Sequence, residues 1–154
     1  MKAGEYFTKV FLPIIMLMFL LSCTGKKPTS TPDAPAPTQL TAAQMKDLVP
    51  DDLKAKAGSE DGQVEIHTKT VSIFISDSET PAGALKLADG MTKIPGLPEF
   101  KDTIIIINGK EYKAKKDTDG GYLIYASGRF AIQAVYNKKN ESKAIEILSK
   151  LKIY

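Results

Sequence analysis

Residues 103–115 read TIIIINGKEYKAK, and the Asn-Gly pair at their centre strongly restricts the fold of this 154-residue chain. Asn108 and Gly109 are the favoured residues of a two-residue type I′ turn, which joins two antiparallel strands. Ile104 to Ile107 are apolar at consecutive positions, so they suit a strand covered on both faces. We therefore expect a β-hairpin here, with the isoleucines at the centre of a sheet.

Four other segments have strand-like patterns. Val64/Ile66 and Val71/Ile73/Ile75 alternate with opposite parity, which predicts either a hairpin around residues 68–70 or one bulged strand. Residues 122–126 and 129–136 follow, joined at Ser127-Gly128, and the second alternates apolar residues on one side.

Three segments begin with helix-capping residues. Thr41 and Gln44 could form a capping box for a short helix that runs through Val49. Thr80 and Pro81 suit the N-cap and first position of a second helix, and Asn140 can cap a third that ends near Leu151. The last two helices have apolar stripes, made of Ala84, Leu87, Ala88 and Met91 and of Ala144, Ile145, Leu148 and Leu151.

These elements predict an α+β domain over residues 40–154. The length allows one domain plus its ends. We expect an antiparallel sheet of five or six strands with two main helices packed on one face.

The N-terminal segment has the pattern of a secretory signal peptide over residues 1–22. Lys2 and Lys9 precede the uncharged run from Val10 to Leu21. About a dozen apolar residues are too few to cross a membrane, which needs roughly 20 as a helix. Pro13 disfavours the alternative of a buried core helix.

The run ends at Leu20-Leu21-Ser22-Cys23, which resembles the lipobox of bacterial lipoproteins, although Leu21 stands where smaller or β-branched residues are favoured. The resemblance implies that Cys23 is diacylated and becomes the new N-terminus. Two or three acyl chains, such as palmitate, anchor a protein stably. The chain has one cysteine, so an internal disulfide is excluded. We expect a lipid-anchored, extracytoplasmic protein of the cell membrane or outer membrane.

Residues 23–39 combine the lipidated cysteine with a Pro/Thr-rich stretch that predicts a disordered tether. Without Lys2, Lys9 and Glu5, the chain's 21 basic and 18 acidic residues become 19 and 17. The 19 basic residues exceed the 17 acidic ones by two. Lys26 and Lys27 account for this excess of positive charge and would lie near anionic headgroups. The domain itself is about neutral, which argues against a nucleic-acid partner.

The folded region also resembles a group of small bacterial lipoproteins of unassigned function. The resemblance rests on VSIFISDS before a helix, on IIIINGKEYKAK as a hairpin, and on GGYLIYASGRFAIQAVYN before an amphipathic helix. It implies the α+β fold described above.

Catalytic and metal-binding patterns are weak in this sequence. His67 is the only histidine, and a polar strand face or turn is its expected setting. Residues 117–121, DTDGG, resemble a fragment of a calcium loop without its twelfth-position Glu, and a hairpin turn explains them as well. No nucleophile motif or phosphate loop is present. We expect no catalytic residue, no metal and no cofactor.

Arg129 and Asp77 are the candidate ligand-binding residues. Arg129 is the only arginine and could bind an anion, or form a structural ion pair. Asp77 could act in a cleft or cap the turn before the second helix. Four tyrosines in the sheet region could line a ligand groove or form cross-strand pairs, namely Tyr112, Tyr122, Tyr125 and Tyr136.

Two functions follow from these features. The first is a membrane-anchored lipoprotein of the bacterial envelope, whose non-catalytic domain binds an envelope protein or has a structural role. The alternative is a small-ligand-binding or envelope-processing enzyme domain that uses a tyrosine-lined sheet face, with Arg129 and Asp77 as polar contacts. A groove that encloses both residues would favour the alternative.

Overall fold

The computed structural model describes residues 38–153, which form an α+β domain with one antiparallel seven-stranded sheet. The strands are β1 (Ala57–Glu60), β2 (Gln63–His67), β3 (Val71–Asp77), β4 (Phe100–Ile107), β5 (Lys110–Asp117), β6 (Tyr122–Ser127) and β7 (Phe130–Tyr136). Their order in the sheet is β1-β2-β3-β7-β6-β5-β4. The central strand is therefore β7, and β1 and β4 are the two edges.

Three α-helices accompany the sheet, namely α1 (Ala42–Asp47), α2 (Pro81–Met91) and α3 (Glu141–Lys150). Short 3-10 turns lie at Lys54–Lys56 and Lys138–Asn140. Within residues 38–153, no helix has both the length and the apolar character needed to cross a membrane. Cys23, the predicted signal peptide and the predicted tether up to residue 37 lie outside the described residues.

The predicted starts of the first two helices are confirmed. The side chain of Thr41 and the side chain of Gln44 form the reciprocal capping box before α1. At α2, the Thr80 hydroxyl accepts a hydrogen bond from the Gly83 N–H, and Pro81 occupies the first turn. Asn140 stands at the N-cap position of α3, but its side chain makes no capping hydrogen bond.

Tight turns produce three of the hairpins. Residues 68–70 connect β2 to β3, so the hairpin, and not the bulged strand, is the observed structure. The predicted type I′ turn is confirmed by positive φ values of 53° at Asn108 and 74° at Gly109. Asp61-Gly62 connects β1 to β2, with a positive φ of 73° at Gly62.

The main core lies on one face of the sheet, which we call the first face. Ile73, Tyr125 and Ile132 point to this face and pack in one cluster with residues of α1 and α3, including Met45 and Leu148. This cluster holds most of the buried apolar side chains of the described residues. α1 and α3 therefore cover the same side of the sheet.

The prediction that the helices pack on one face is wrong. α2 covers the opposite side, the second face, where Ala88 packs against Ile124 and Ala131. The reason is that β6 and β7 are apolar at successive positions, so both of their faces must be removed from water. The sheet is thus covered by helices on both sides.

Two predictions about the strands are also wrong. The sheet has seven strands, not five or six, because residues 57–60 form β1 although their sequence, AGSE, has no apolar alternation. Pairing with β2 makes them a strand. Ile104 to Ile107 are in the edge strand β4, where Ile104 and Ile106 are 63% and 62% exposed.

Candidate functional site

The sheet brings the two candidate ligand-binding residues together. Asp77 is the last residue of β3, and Arg129 directly precedes β7, the neighbouring strand. The antiparallel register places Asp77 opposite Phe130, and the Ser78 N–H donates to the Arg129 carbonyl over 2.9 Å. Residues 52 positions apart in the sequence therefore meet at one end of the sheet.

Arg129 and Asp77 form a bidentate ion pair. Nε of Arg129 lies 2.5 Å from Oδ1 of Asp77, and Nη2 lies 2.7 Å from Oδ2. The Asp77 side chain is fully buried, whereas the Arg129 side chain is 30% exposed. The planar guanidinium matches the carboxylate in a way that lysine cannot reproduce, which explains the use of arginine here.

Two backbone N–H groups complete the surroundings of the Asp77 carboxylate. The Glu79 N–H donates to Oδ1 over 2.9 Å, and the Leu40 N–H donates to Oδ2 over 2.8 Å. A carboxylate offers about four acceptor positions. Asp77 therefore uses its hydrogen-bonding capacity within the protein, which leaves it poorly suited to accept a ligand.

The pKa of Asp77 is set by opposing influences. Burial by itself raises the pKa, because it disfavours the charged carboxylate. The hydrogen bonds from Arg129 and from the two backbone N–H groups, together with the Arg129 charge, outweigh burial and lower the pKa below its ordinary value. Asp77 is thus an ionised structural group.

The same ion pair holds the start of the described chain. Nη2 of Arg129 also donates to the Thr38 carbonyl over 2.6 Å, and the Leu40 carbonyl accepts from the Gly62 N–H over 2.7 Å. We call Thr38, Leu40, Asp77 and Arg129 the N-terminal clasp. It fixes the backbone of residues 38–40 against the ends of β3 and β7.

His67 and Asp117 have local structural roles. The His67 ring is exposed at the end of β2, with Ser72 Oγ and Glu65 Oε2 each 3.1 Å from its nitrogens, as expected for a polar strand face. Oδ1 of Asp117 accepts from the Gly121 and Tyr122 N–H groups over 2.7 Å each, which makes the DTDGG segment a hairpin turn. Within residues 38–153, no group of three or more His, Cys, Asp or Glu is arranged to hold a metal ion.

The four tyrosines do not share one open face. Tyr112, Tyr125 and Tyr136 belong to the main core on the first face, and the rings of the first two meet edge-on with centroids 5.6 Å apart. Tyr122 points to the second face and packs edge-on against Phe100 at 6.2 Å. Tyr112 and Tyr125 thus form a cross-strand pair, as the sequence allowed, and within residues 38–153 no open groove joins the four tyrosines.

Two surface depressions have lining residues that differ from the predicted ones. The larger, of about 610 Å³, lies between the β2–β3 turn and α3. Four lysines and one aspartate line it, namely Lys56, Lys69, Lys143, Lys150 and Asp52, together with His67. The smaller, of about 320 Å³, lies beside β4 and β5. Neither is lined by Arg129 or Asp77.

One surface feature was missed by the sequence analysis. Ile104 and Ile106 project from the edge strand β4, and each exposes more than 60% of its surface. Leu85 on α2 is similarly exposed, at 64%. The run of four isoleucines could have indicated this edge only if the strand order had been known.

Comparison with known proteins identifies no relative. No family model matches the chain, and neither a curated protein nor a solved structure is significantly similar to it.

Proposed function

We propose that this protein is a lipid-anchored lipoprotein of the bacterial envelope, and that its α+β domain is a non-catalytic binding or structural module. Cys23, directly after the apolar run, is the proposed site of lipidation. Residues 24–39 would form the tether, whose end is held at Thr38 by the N-terminal clasp. Lys26 and Lys27 would lie near anionic headgroups. The protein would be extracytoplasmic, on the cell membrane or the outer membrane.

The N-terminal clasp is the observation that carries this proposal. A domain held by a flexible tether needs a firm attachment where the tether joins the fold, because thermal motion of the tether otherwise frays the first residues. The chain enters the domain at Thr38 and Leu40, which Arg129 and Asp77 hold by charge-assisted hydrogen bonds. The clasp holds the end of the Pro/Thr-rich segment, at Thr38.

The enzyme or small-ligand alternative has less support. It requires an open tyrosine-lined face and free polar groups at Arg129 and Asp77. Three of the four tyrosines are in the main core, and Asp77 is occupied by its partners in the clasp. We therefore favour the binding or structural module.

Replacing the proposed lipidated cysteine tests the anchor. Cys23→Ala should move the protein from the membrane fraction to the soluble fraction after a salt wash and abolish incorporation of labelled palmitate, because no thiol remains to be acylated. Ser22→Ala is the matched control, since it keeps a small residue before the cysteine and should leave both readouts unchanged. Labelled palmitate in the Cys23→Ala protein would contradict the proposal.

A further inference from the structure

The outer side of β4 offers unused backbone hydrogen-bonding groups. The Thr118 N–H bonds the Glu99 carbonyl over 3.2 Å, and these residues continue the β4–β5 register. Odd-numbered residues of β4 therefore direct their backbone groups to β5, and even-numbered residues direct theirs outward. β4 is the last strand of the sheet formed by residues 38–153.

The exposed isoleucines occupy those outward-bonding positions. Ile105 packs against the main core on the first face, so Ile104 and Ile106 project from the second face. α2 covers β6 and β7 there, while Ile104 and Ile106 stay 63% and 62% exposed. Edge strands are normally protected by charged side chains, by proline or by a covering element. Residues 104–106 of β4 are all isoleucine, so they contain neither a charged side chain nor a proline.

We infer that β4 pairs with β4 of a second copy of this chain, antiparallel and about a two-fold axis at Ile105. Ladder pairing requires that outward-directed residues meet outward-directed residues, which allows only certain registers. The register centred on Ile105 sets Ile104 opposite Ile106 of the second copy. It is the register in which both exposed isoleucines face isoleucines.

Registers shifted toward the N-terminal end of β4 place charge against these apolar side chains. A two-fold axis at Ile104 would set Ile106 opposite Asp102, whose side chain is 86% exposed and bonds Lys115. An axis at Thr103 would set Ile104 opposite Asp102. Burying Ile against this carboxylate removes water from the charge, and the isoleucine offers no hydrogen bond in return. The register at Ile105 avoids that cost.

Charge on the adjacent strand also suits a second copy. Within one chain, Lys113 lies opposite Ile104 and Glu111 lies opposite Ile106. In the register centred on Ile105, each cross-strand row runs from Lys113 of one copy, over two isoleucines, to Glu111 of the other. Each row therefore has opposite charges at its two ends. With an axis at Ile104, by contrast, the row through the two Ile104 side chains would have Lys113 at both ends.

Such an interface is isologous and small. It joins one short strand from each copy, which is less than the roughly 800 Å² per partner of a standard stable interface. The dimer should therefore be reversible, with dissociation visible over an accessible range of protein concentration.

Sedimentation equilibrium of the full chain in density-matched detergent tests self-association. Ile104→Lys sets a charge against Ile106 of the second copy and should raise the dissociation constant roughly tenfold or more. Leu85→Lys is the matched control, since it replaces an equally exposed apolar residue on α2 and should leave the constant unchanged. A chain that stays monomeric at millimolar concentration, or a dimer that both variants affect equally, would overturn the proposal.

Disulfide trapping tests the register. The background is Cys23→Ala, which removes the native thiol. In the proposed register, Ile105→Cys places the new thiols of the two copies opposite each other, with a Cα separation of about 4.5 Å, within the range of a disulfide. In the same register, the thiols that Thr103→Cys introduces in the two copies are four residues apart along the strands, or about 13 Å. Mild oxidation should give covalent dimers of the first variant much faster than of the second. Equal or reversed rates would overturn the assigned pairing, and cooperative thermal unfolding of both variants would show that both are folded.

Discussion

At the residue scale, one buried carboxylate organises the end of the sheet where the chain enters the domain. Asp77 accepts from Arg129 and from the N–H groups of Leu40 and Glu79, so its charge is well compensated. Removing one partner of such a pair leaves the other charge buried without compensation, which costs more than the pair itself contributes.

Arg129→Met should therefore lower the free energy of unfolding by roughly 2–4 kcal/mol, the partial exposure of Arg129 placing it below the largest values for buried pairs. Chemical denaturation at pH 7 measures this change. Lys143→Met is the control, because Lys143 and Glu146 form an exposed pair, 52% and 46% exposed, and should change stability by less than about 1 kcal/mol. Equal effects of the two substitutions would contradict the role of the clasp.

The same pair predicts a pH dependence. The folded-state pKa of Asp77 lies below its ordinary value of 3.8, so the unfolded chain binds the proton more readily. The stabilisation is therefore complete well above pH 4 and is lost as the pH falls through 3.8 toward the folded-state pKa. The melting-temperature difference between wild type and Arg129→Met should shrink from pH 6 to pH 3. A difference that stays constant or grows on acidification would contradict this linkage.

At the scale of elements, α3 closes the main core. Its buried side chains are Ala144, Ile147 and Leu148, and Leu151 follows directly after the helix. Ile145, which sequence analysis placed in this stripe, is only partly buried, and Ile147 takes the deeper position. The helix packs on the first face of the central strand β7, whose Ile132 and Ala134 are also fully buried.

Leu148→Ala should destabilise the domain by about 2–5 kcal/mol, because it opens a cavity beneath a fully buried side chain. Ile145→Ala is the paired comparison and should cost clearly less, since its side chain already contacts water. Thermal unfolding followed by circular dichroism measures both. Equal shifts in melting temperature would show that α3 is rotated relative to the packing described above.

At the scale of the whole molecule, the two ends of the described chain support each other. The Lys152 N–H donates to the Leu48 carbonyl over 2.9 Å, just beyond α1. Leu151 packs in the same cluster as Met45 and Val49. α1 is therefore stabilised partly by residues that follow α3.

A chain that stops after Lys150 should lose protection from hydrogen exchange in α1 while β3 and β7 keep theirs. The reason is that Leu151 and the Lys152 hydrogen bond both act on α1 and the residues that follow it, whereas the central strands are held by neighbours on both sides. Mass spectrometry of amide exchange gives the measurement. Unchanged exchange at residues 42–49 would show that the ends are independent.

Local structure followed from the sequence by itself. The capping box of Thr41 and Gln44, the Thr80-Pro81 helix start and the Asn108-Gly109 turn all formed as predicted. Each depends on side chains and backbone angles within a few residues, so its physical cause is contained in the local sequence. The α+β class followed for the same reason, since every helix and strand except β1 has a recognisable local pattern.

Tertiary structure decided how those elements are placed. Arg129 and Asp77 were identified from sequence as candidates, but only the pairing of β3 with β7 joined them to Thr38 and Leu40. Likewise, four consecutive isoleucines suit either a central strand or an edge, and only the strand order shows that β4 is an edge. Which strands become neighbours depends on the burial of the whole core, a balance over distant residues that no short segment contains.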